Sequence, residues 1–71
     1  MRYIVDWNPT ESFGGYAKED AAGLADAMRK AAAKSKQFGL AYAVAINAAG
    51  ETVGAIGYAD GRQDSKEGVV A

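Results

Sequence analysis

The chain has 71 residues, with eight basic and nine acidic side chains and a formal net charge of −1. This balance argues against the strongly basic surface of most nucleic-acid-binding proteins, and equally against an acidic nucleic-acid mimic. Cysteine and histidine are both absent, which excludes disulfides and thiolate zinc sites and removes the most frequent general base and the most frequent low-pKa nucleophile.

A single domain spanning residues 1–71 is expected from this length. A chain this short buries only roughly 60% of the surface that it exposes when unfolded, so small domains often depend on disulfides, a metal or association. No carboxylate cluster has the spacing of a calcium loop. We therefore expect no catalytic residues, no metal and no cofactor, and we expect association with another protein to supplement the core.

Strand-forming residues open the chain. Tyr3 to Trp7 are mainly β-branched and aromatic, and Asn8-Pro9 ends this strand because proline cannot donate to a ladder. Residues 13–18 predict either a loop or a short strand paired with the first.

The sequence shows neither a secretion signal nor a membrane span. Asp6 and Asn8 interrupt any apolar core of a signal peptide. Polar residues and glycines interrupt the apolar stretch 38–59 well short of the length of a membrane span. We therefore expect a cytoplasmic protein.

A helix is predicted over residues 21–38. Asp20 is a suitable N-cap, and Gly39 lies where a left-handed residue closes the last turn. Acidic residues come early and basic residues late, which complements the helix dipole. Helical spacing places mostly small residues on one face: Ala21, Leu24, Ala25, Met28, Ala31, Ala32 and Ser35.

A β-hairpin follows the helix, with strands at 40–47 and 51–59 joined by Ala48-Ala49-Gly50. A three-residue loop that ends in glycine is a common hairpin connection, in which Gly50 takes a positive φ. This loop pairs Asn47 with Glu51 and places Val44 opposite Gly54. Residues 62–71 predict a flexible tail, because Arg62 to Gly68 are mostly polar, although Val69 and Val70 could dock.

The predicted register sorts the hairpin side chains by size. One face carries Leu40, Tyr42, Val44, Ile46, Ile56 and Tyr58. The other carries Ala41, Ala43, Ala45, Val53, Ala55, Gly57 and Ala59. We predict that the helix covers the bulky face and that the small-residue face, which has no polar side chain, is a docking face. The reverse arrangement leaves the bulky face outward and predicts a more hydrophobic partner.

The sequence thus predicts an α+β fold, in which one helix packs on an antiparallel sheet of three or four strands in the order β-α-β-β or β-β-α-β-β. The predicted function is non-catalytic protein–protein interaction by a small inhibitor or adaptor of the kind that phages and mobile elements encode, with homodimerisation as one form of association. The predicted interface comprises Ala41, Ala43, Ala45, Val53, Ala55, Phe13 and Tyr16.

An alternative function rests on basic residues near the end of the helix. These residues are Arg29, Lys30, Lys34 and Lys36, and they favour a nucleic-acid-binding or antitoxin-like module. Complementing the helix dipole on a solvated face explains the same charges.

The first quarter of the chain resembles antitoxins of the HicB type. The resemblance is carried by the Met1-Arg2-Tyr3 strand and the following Gly14-Gly15-Tyr16-Ala17, and it implies an antitoxin role. The alanine-rich helix and the hairpin depart from the pattern of that family.

Overall fold

A computed structural model describes residues 1–7 and 17–70 of the chain. Its elements are β1 (Arg2–Trp7), β2 (Ala17–Ala21), α1 (Leu24–Phe38), β3 (Leu40–Ile46), β4 (Thr52–Ala59) and β5 (Arg62–Gly68). The strands form one antiparallel sheet in the order β2-β1-β3-β4-β5, and α1 packs on one face of it. The α+β class is confirmed, and the strand count is five instead of the predicted three or four.

The helix begins later than predicted. Residues 17–21 pair with β1, with Asp20 opposite Ile4, so Asp20 lies in a strand and is not the N-cap. Gly23 occupies that position without a side-chain cap. The predicted end is confirmed, because Gly39 has φ 95° and its N–H donates to the Ser35 carbonyl at 2.8 Å. Of the ambiguous segment 13–18, only 17 and 18 are described, and both belong to β2.

The β3–β4 hairpin has the predicted turn and a different register beyond it. Asn47 N–H donates to the Glu51 carbonyl at 3.0 Å, and Gly50 has φ 82°. The register then shifts between Ala45 and Ile46, because β4 contains one extra residue. Val44 therefore faces Ala55 instead of Gly54. A one-residue shift moves every later side chain to the opposite face.

The bulge reverses the predicted assignment of faces. Ala41 pairs with Tyr58 and Ala43 with Ile56, so the alanines of β3 share a face with the bulky residues of β4. This mixed face lies under α1. The buried residues of this face form the hydrophobic core together with buried residues of β1, α1 and the C-terminal segment. These core residues are Val5, Trp7, Ala27, Ala31, Ala41, Ala43, Ala45, Ile56, Tyr58 and Val70. The prediction that α1 covers the bulky residues of β3 is wrong. Small side chains on both α1 and β3 let them approach closely, while larger ones from β1 and β4 fill the flanks.

The predicted flexible tail is also wrong over residues 62–68, which form β5. Asp60 and Gly61 connect β4 to β5 with φ values of 50° and 83°. Positive φ at both central residues defines a type I′ turn, the preferred two-residue hairpin connection. All seven residues of β5 are exposed and most are polar, as expected for an edge strand that resists pairing with other chains.

The C-terminal segment returns to the core after β5. Gly68, with φ 70°, redirects the chain, and the Val69 N–H donates to the Val53 carbonyl at 3.0 Å. Val70 is buried among the core residues, and its carbonyl accepts a hydrogen bond from the Tyr3 hydroxyl at 3.0 Å. The segment therefore ties the end of the chain to β1 and β4.

Ser35 attaches the helix to the β4–β5 turn. Its side chain is fully buried, its Oγ donates to the Ala32 carbonyl at 2.8 Å, and the same Oγ accepts from the Gly61 N–H at 2.7 Å. A buried N–H that loses its acceptor costs its full desolvation penalty. The hydroxyl therefore stabilises the contact between α1 and the turn.

We expect Ser35→Ala to lower the free energy of unfolding by about 1–3 kcal/mol, because the Gly61 amide loses its acceptor. The measurement is urea unfolding, together with hydrogen exchange at the Gly61 amide, which should become faster. The matched control is Ser65→Ala on exposed β5, for which we expect a change within about 0.5 kcal/mol. Equal effects of the two variants would contradict a bridging role for Ser35.

Candidate protein-interaction surface

The sheet has a second apolar face, opposite α1, which we call the open face. Ile4, Val44 and Ile46 form its buried cluster, with Tyr42 and Ala55 packed against them. These residues alternate along their strands with the core residues under α1. Within the described residues, no helix or strand packs against the open face. The sheet is therefore apolar on both sides although α1 covers one.

The exposed apolar area of this face lies mainly on one side of the buried cluster. Ile4, Val44 and Ile46 are only 6–9% exposed, so they are already buried within the single chain, whereas Leu40 is 38% exposed. Tyr42 and Ala55 are half-buried. A partner on this face would therefore gain most contact area from Leu40, Tyr42 and the small residues of β4.

The open face has a ridge beside a trough. The ridge consists of the β3 side chains Leu40, Tyr42, Val44 and Ile46. The trough consists of the neighbouring β4 residues Ala55, Gly57 and Ala59. At Gly57, which is buried, the trough is filled, because a Cβ there would lie 3.0 Å from the Tyr42 ring and 2.5 Å from Ser65 Oγ. The Tyr42 ring thus covers the glycine backbone, as aromatic residues do beside strand glycines.

Charged side chains border the apolar part of the open face on both sides. Arg2 and Asp6 lie on β1, with β2 beyond them, and Arg62 and Glu67 lie on β5. None of these four forms an ion pair with another described residue. Burial raises the pKa of Asp6, and the nearby Lys18 cation partly opposes that rise. An apolar centre with a polar border is the usual anatomy of a protein–protein interface.

The structure separates the residues of the predicted interface. Ala41, Ala43 and Ala45 are buried beneath α1, so they are not available to a partner while the helix is in place. Val53 is partly buried and packs against the same core, whereas Ala55 lies on the open face. The bulge accounts for this split, because it shifts the register by one residue and so places Ala55 on the face opposite the alanines of β3. Phe13 and Tyr16 lie outside the described residues.

The basic residues of the alternative function have partners within the chain. Arg29 Nη2 lies 2.8 Å from Asp26 Oδ1, and Lys30 Nζ lies 3.2 Å from Asp26 Oδ2 and 3.1 Å from Glu19 Oε2. The hydrogen bond from the Ala22 N–H, followed by that from Lys30, lowers the pKa of Asp26. Hydrogen bonds to Glu19 and Asp26 raise the pKa of Lys30. Arg29 and Lys30 therefore already form ion pairs with acidic side chains of the same chain.

The other two cations contact the core or its edge. Lys34 Nζ lies 4.3 Å from the centre of the Trp7 ring, which itself stacks on Phe38 at 6.1 Å. The alkyl chain of Lys36 packs over Gly61. The four basic side chains thus point to different partners and do not form one continuous patch for a phosphate backbone.

A cleft of about 650 Å³ opens at the end of the sheet near the start of α1. Its lining includes Arg2, Tyr3, Gly23, Ile46 and Asn47, and Arg2 is the one charged side chain in it. Among residues 1–7 and 17–70, no group of three or more acidic side chains could hold a metal ion. The cleft therefore offers no paired acid and base.

Comparisons with protein-family models, with curated proteins and with solved structures gave no match. The resemblance of the first quarter to HicB-type antitoxins gains no support from them. In the part of the chain that the structure describes, no helix is long and apolar enough to cross a membrane. The cytoplasmic location stays a prediction.

Sequence patterns for the open face and for β5 were present. Every second residue from Leu40 to Ile46 is bulky, and Asp60-Gly61 is among the strongest short signals for a hairpin. Glycines inside a strand, here Gly54 and Gly57, are typical of bulges. These signals indicate a bulge and a further hairpin, but they do not say which face of β3 meets α1.

Proposed function

We propose that this chain is a non-catalytic protein–protein interaction module, acting as a small inhibitor or adaptor, and that the open face is its binding surface. The observation that carries the proposal is that the sheet is apolar on both faces while α1 covers only one of them. Antiparallel sheets with one solvated face normally place polar residues there. The exposed apolar part of this face, at Leu40 and Tyr42, together with its polar border favours a protein partner.

The residue types of the chain support a binding role over catalysis. Histidine and cysteine are absent from the whole sequence, and the titratable side chains that border the open face are spread over strands on opposite sides of its apolar centre. Such an arrangement binds by shape and hydrophobic burial, without a paired acid and base. The small size and the missing chemistry also fit inhibitors and adaptors encoded by phages and mobile elements.

The proposal is tested by affinity capture of partner proteins from a lysate of the native host, with tagged wild type and two tagged lysine variants as bait. Leu40→Lys places a charge on the open face, and Ala33→Lys places the same charge on the outer, exposed side of α1. We expect wild type and Ala33→Lys to retain a stoichiometric protein partner, either another protein or untagged copies of the same chain. We expect Leu40→Lys to lose at least about 90% of it, because a buried unpaired charge at an interface costs several kcal/mol.

The fold of each variant is checked by thermal unfolding, which should change little for either exposed position. Equal retention by Leu40→Lys and Ala33→Lys would contradict binding through the open face. Absence of any stoichiometric partner from wild type would contradict the interaction function itself.

A further inference from the structure

We infer that Val69 and Val70, which we call the strap, are a displaceable occupant of a binding site for an extended apolar segment of a partner protein. The strap lies on the α1 side of the sheet, because Val70 belongs to the core under α1 and not to the open face. The inference therefore goes beyond the proposed function and concerns a second site. It rests on how the strap is attached, on the glycines in contact with it and on the clefts beside it.

The strap is held in the way that a bound peptide is held. The Val69 N–H donates to the Val53 carbonyl, and the Val70 carbonyl accepts from the Tyr3 hydroxyl, both at 3.0 Å. Val70 is 3% exposed, whereas its neighbour Val69 is 60% exposed. Main-chain hydrogen bonds combined with pockets for alternate side chains are the means by which sheet edges bind extended peptides. The site therefore recognises an extended backbone and one apolar side chain.

Two glycines let the strap lie directly against the backbone of β4. A Cβ at Gly54 would collide with the backbone of Val69, and a Cβ at Gly68 would collide with the Val53 carbonyl. Gly68 also has φ 70°, a conformation that other residues rarely adopt, at the point where the strap leaves β5. The seat of the strap is thus made of backbone, so it demands little of an occupant apart from the side chain in the Val70 position.

Opening of the strap disturbs little of the remaining fold. It breaks the two hydrogen bonds and exposes one apolar side chain, because β5 before it is already exposed over its whole length. Tyr3 lines the cleft of about 650 Å³ near the start of α1, and Val53 lines a smaller cleft of about 240 Å³. Water can therefore replace the strap at both groups, and neither is left buried without a hydrogen-bond partner.

Segments with few buried contacts open at a lower free energy than the whole fold. The opened site offers the Val53 carbonyl, the Tyr3 hydroxyl and the apolar pocket that Val70 leaves. A partner segment binds there if it supplies an N–H, a small or β-branched apolar side chain and a carbonyl at the same spacing as the strap. The strap is tethered to the site at an effective concentration of roughly millimolar or more, so it excludes weakly binding segments.

The first test is native-state hydrogen exchange of the full wild-type chain. We expect the Val69 amide to exchange at least about tenfold faster than the amides of Val5 and Ala43 in the central strands. Its rate should change little with urea, because local opening exposes little surface. If Val69 exchanges at the rate and with the urea dependence of Val5 and Ala43, the strap opens only with the whole fold and the inference is wrong.

The second test uses two full-chain variants that differ in which valine is changed. Val70→Asp should release the strap, because it places a charge in an apolar pocket, whereas Val69→Asp changes a residue that is already exposed. The probe is the peptide acetyl-Gly-Val-Val-amide, followed by the chemical shift of the Gly54 amide. We expect saturable binding to Val70→Asp at roughly millimolar concentration. Binding to Val69→Asp and to wild type should be at least about tenfold weaker, since their straps compete.

The control peptide acetyl-Gly-Val-Asp-amide should not bind to any of the three chains, because its last side chain is charged. A Val70→Asp chain that loses the exchange protection of Val5 and Ala43 would show that Val70 is an integral part of the core, which contradicts a displaceable strap. A folded Val70→Asp chain that binds neither peptide, or binds both equally, overturns the inference as well. Capture through Leu40 tests the proposed function separately, so the two can fail independently.

Discussion

Replacing Ala43 with lysine is expected to unfold the protein, or to lower its free energy of unfolding by roughly 4 kcal/mol or more. Ala43 is 2% exposed and lies beneath α1, paired with Val5 on β1 and with Ile56 on β4. A lysine there has no room and no partner for its charge, and an uncompensated buried charge costs about 3–5 kcal/mol before any overpacking is counted. A domain of this size has only about 4–10 kcal/mol of stability in total.

Urea unfolding followed by the fluorescence of the single tryptophan, Trp7, measures this effect, because that side chain is buried in the same core. Ala33→Lys adds the same side chain at an exposed helix position and should change stability by no more than about 0.5 kcal/mol. A folded Ala43→Lys variant with the unfolding midpoint of wild type would show that Ala43 faces outward, as the size pattern of the hairpin alone predicts.

Gly54→Ala is expected to lower the free energy of unfolding by about 2–4 kcal/mol by displacing the C-terminal segment. A Cβ at Gly54 would collide with the backbone of Val69, and backbone cannot move aside as the end of a flexible side chain can. Displacement breaks the hydrogen bonds Val69 N–H to Val53 and Tyr3 hydroxyl to Val70. It also exposes Val70, a buried core residue.

A double-mutant cycle shows whether the collision with Val69 is the cause. Removal of residues 69–71 should itself destabilise the protein by a similar amount, and Gly54→Ala should then cost less than about 1 kcal/mol in the shortened chain. The matched control is Gly23→Ala, because a Cβ at Gly23 has no atom within 4 Å and its φ of 178° is ordinary extended backbone. Additive effects of Gly54→Ala and the truncation would contradict the proposed contact.

The elements that local chemistry specifies were predictable. The end of α1 follows from Gly39 and the hairpin turn from Gly50, because each position requires a positive φ that other residues rarely adopt. The first strand follows from its β-branched and aromatic residues. The start of α1 was not predictable from Asp20, because Asp20 suits an N-cap and yet lies in a strand held by its pairing with Ile4. The strand pairing, a tertiary interaction, decided that boundary.

The candidate surface depended on one inserted residue in β4. With an unbroken register the alanines of β3 would face outward together with Ala55, and they would form the predicted docking face. The bulge between the turn and Val44 instead leaves Ala55 outward beside Val44 and Tyr42, while the alanines lie beneath α1. Of the predicted interface, Ala55 is the described residue that lies on the open face.

By itself the sequence determined the α+β class, the end of α1, the β3–β4 turn and the absence of cysteine and histidine chemistry, because each depends on residue type or on neighbours along the chain. Only the tertiary structure decided which face α1 covers, that residues 62–68 form a fifth strand, and that Val70 enters the core. Those features depend on pairing between distant segments, where a single extra residue exchanges the two faces of a strand. That exchange transfers the candidate binding surface from Ala41, Ala43 and Ala45 to Leu40 and Tyr42.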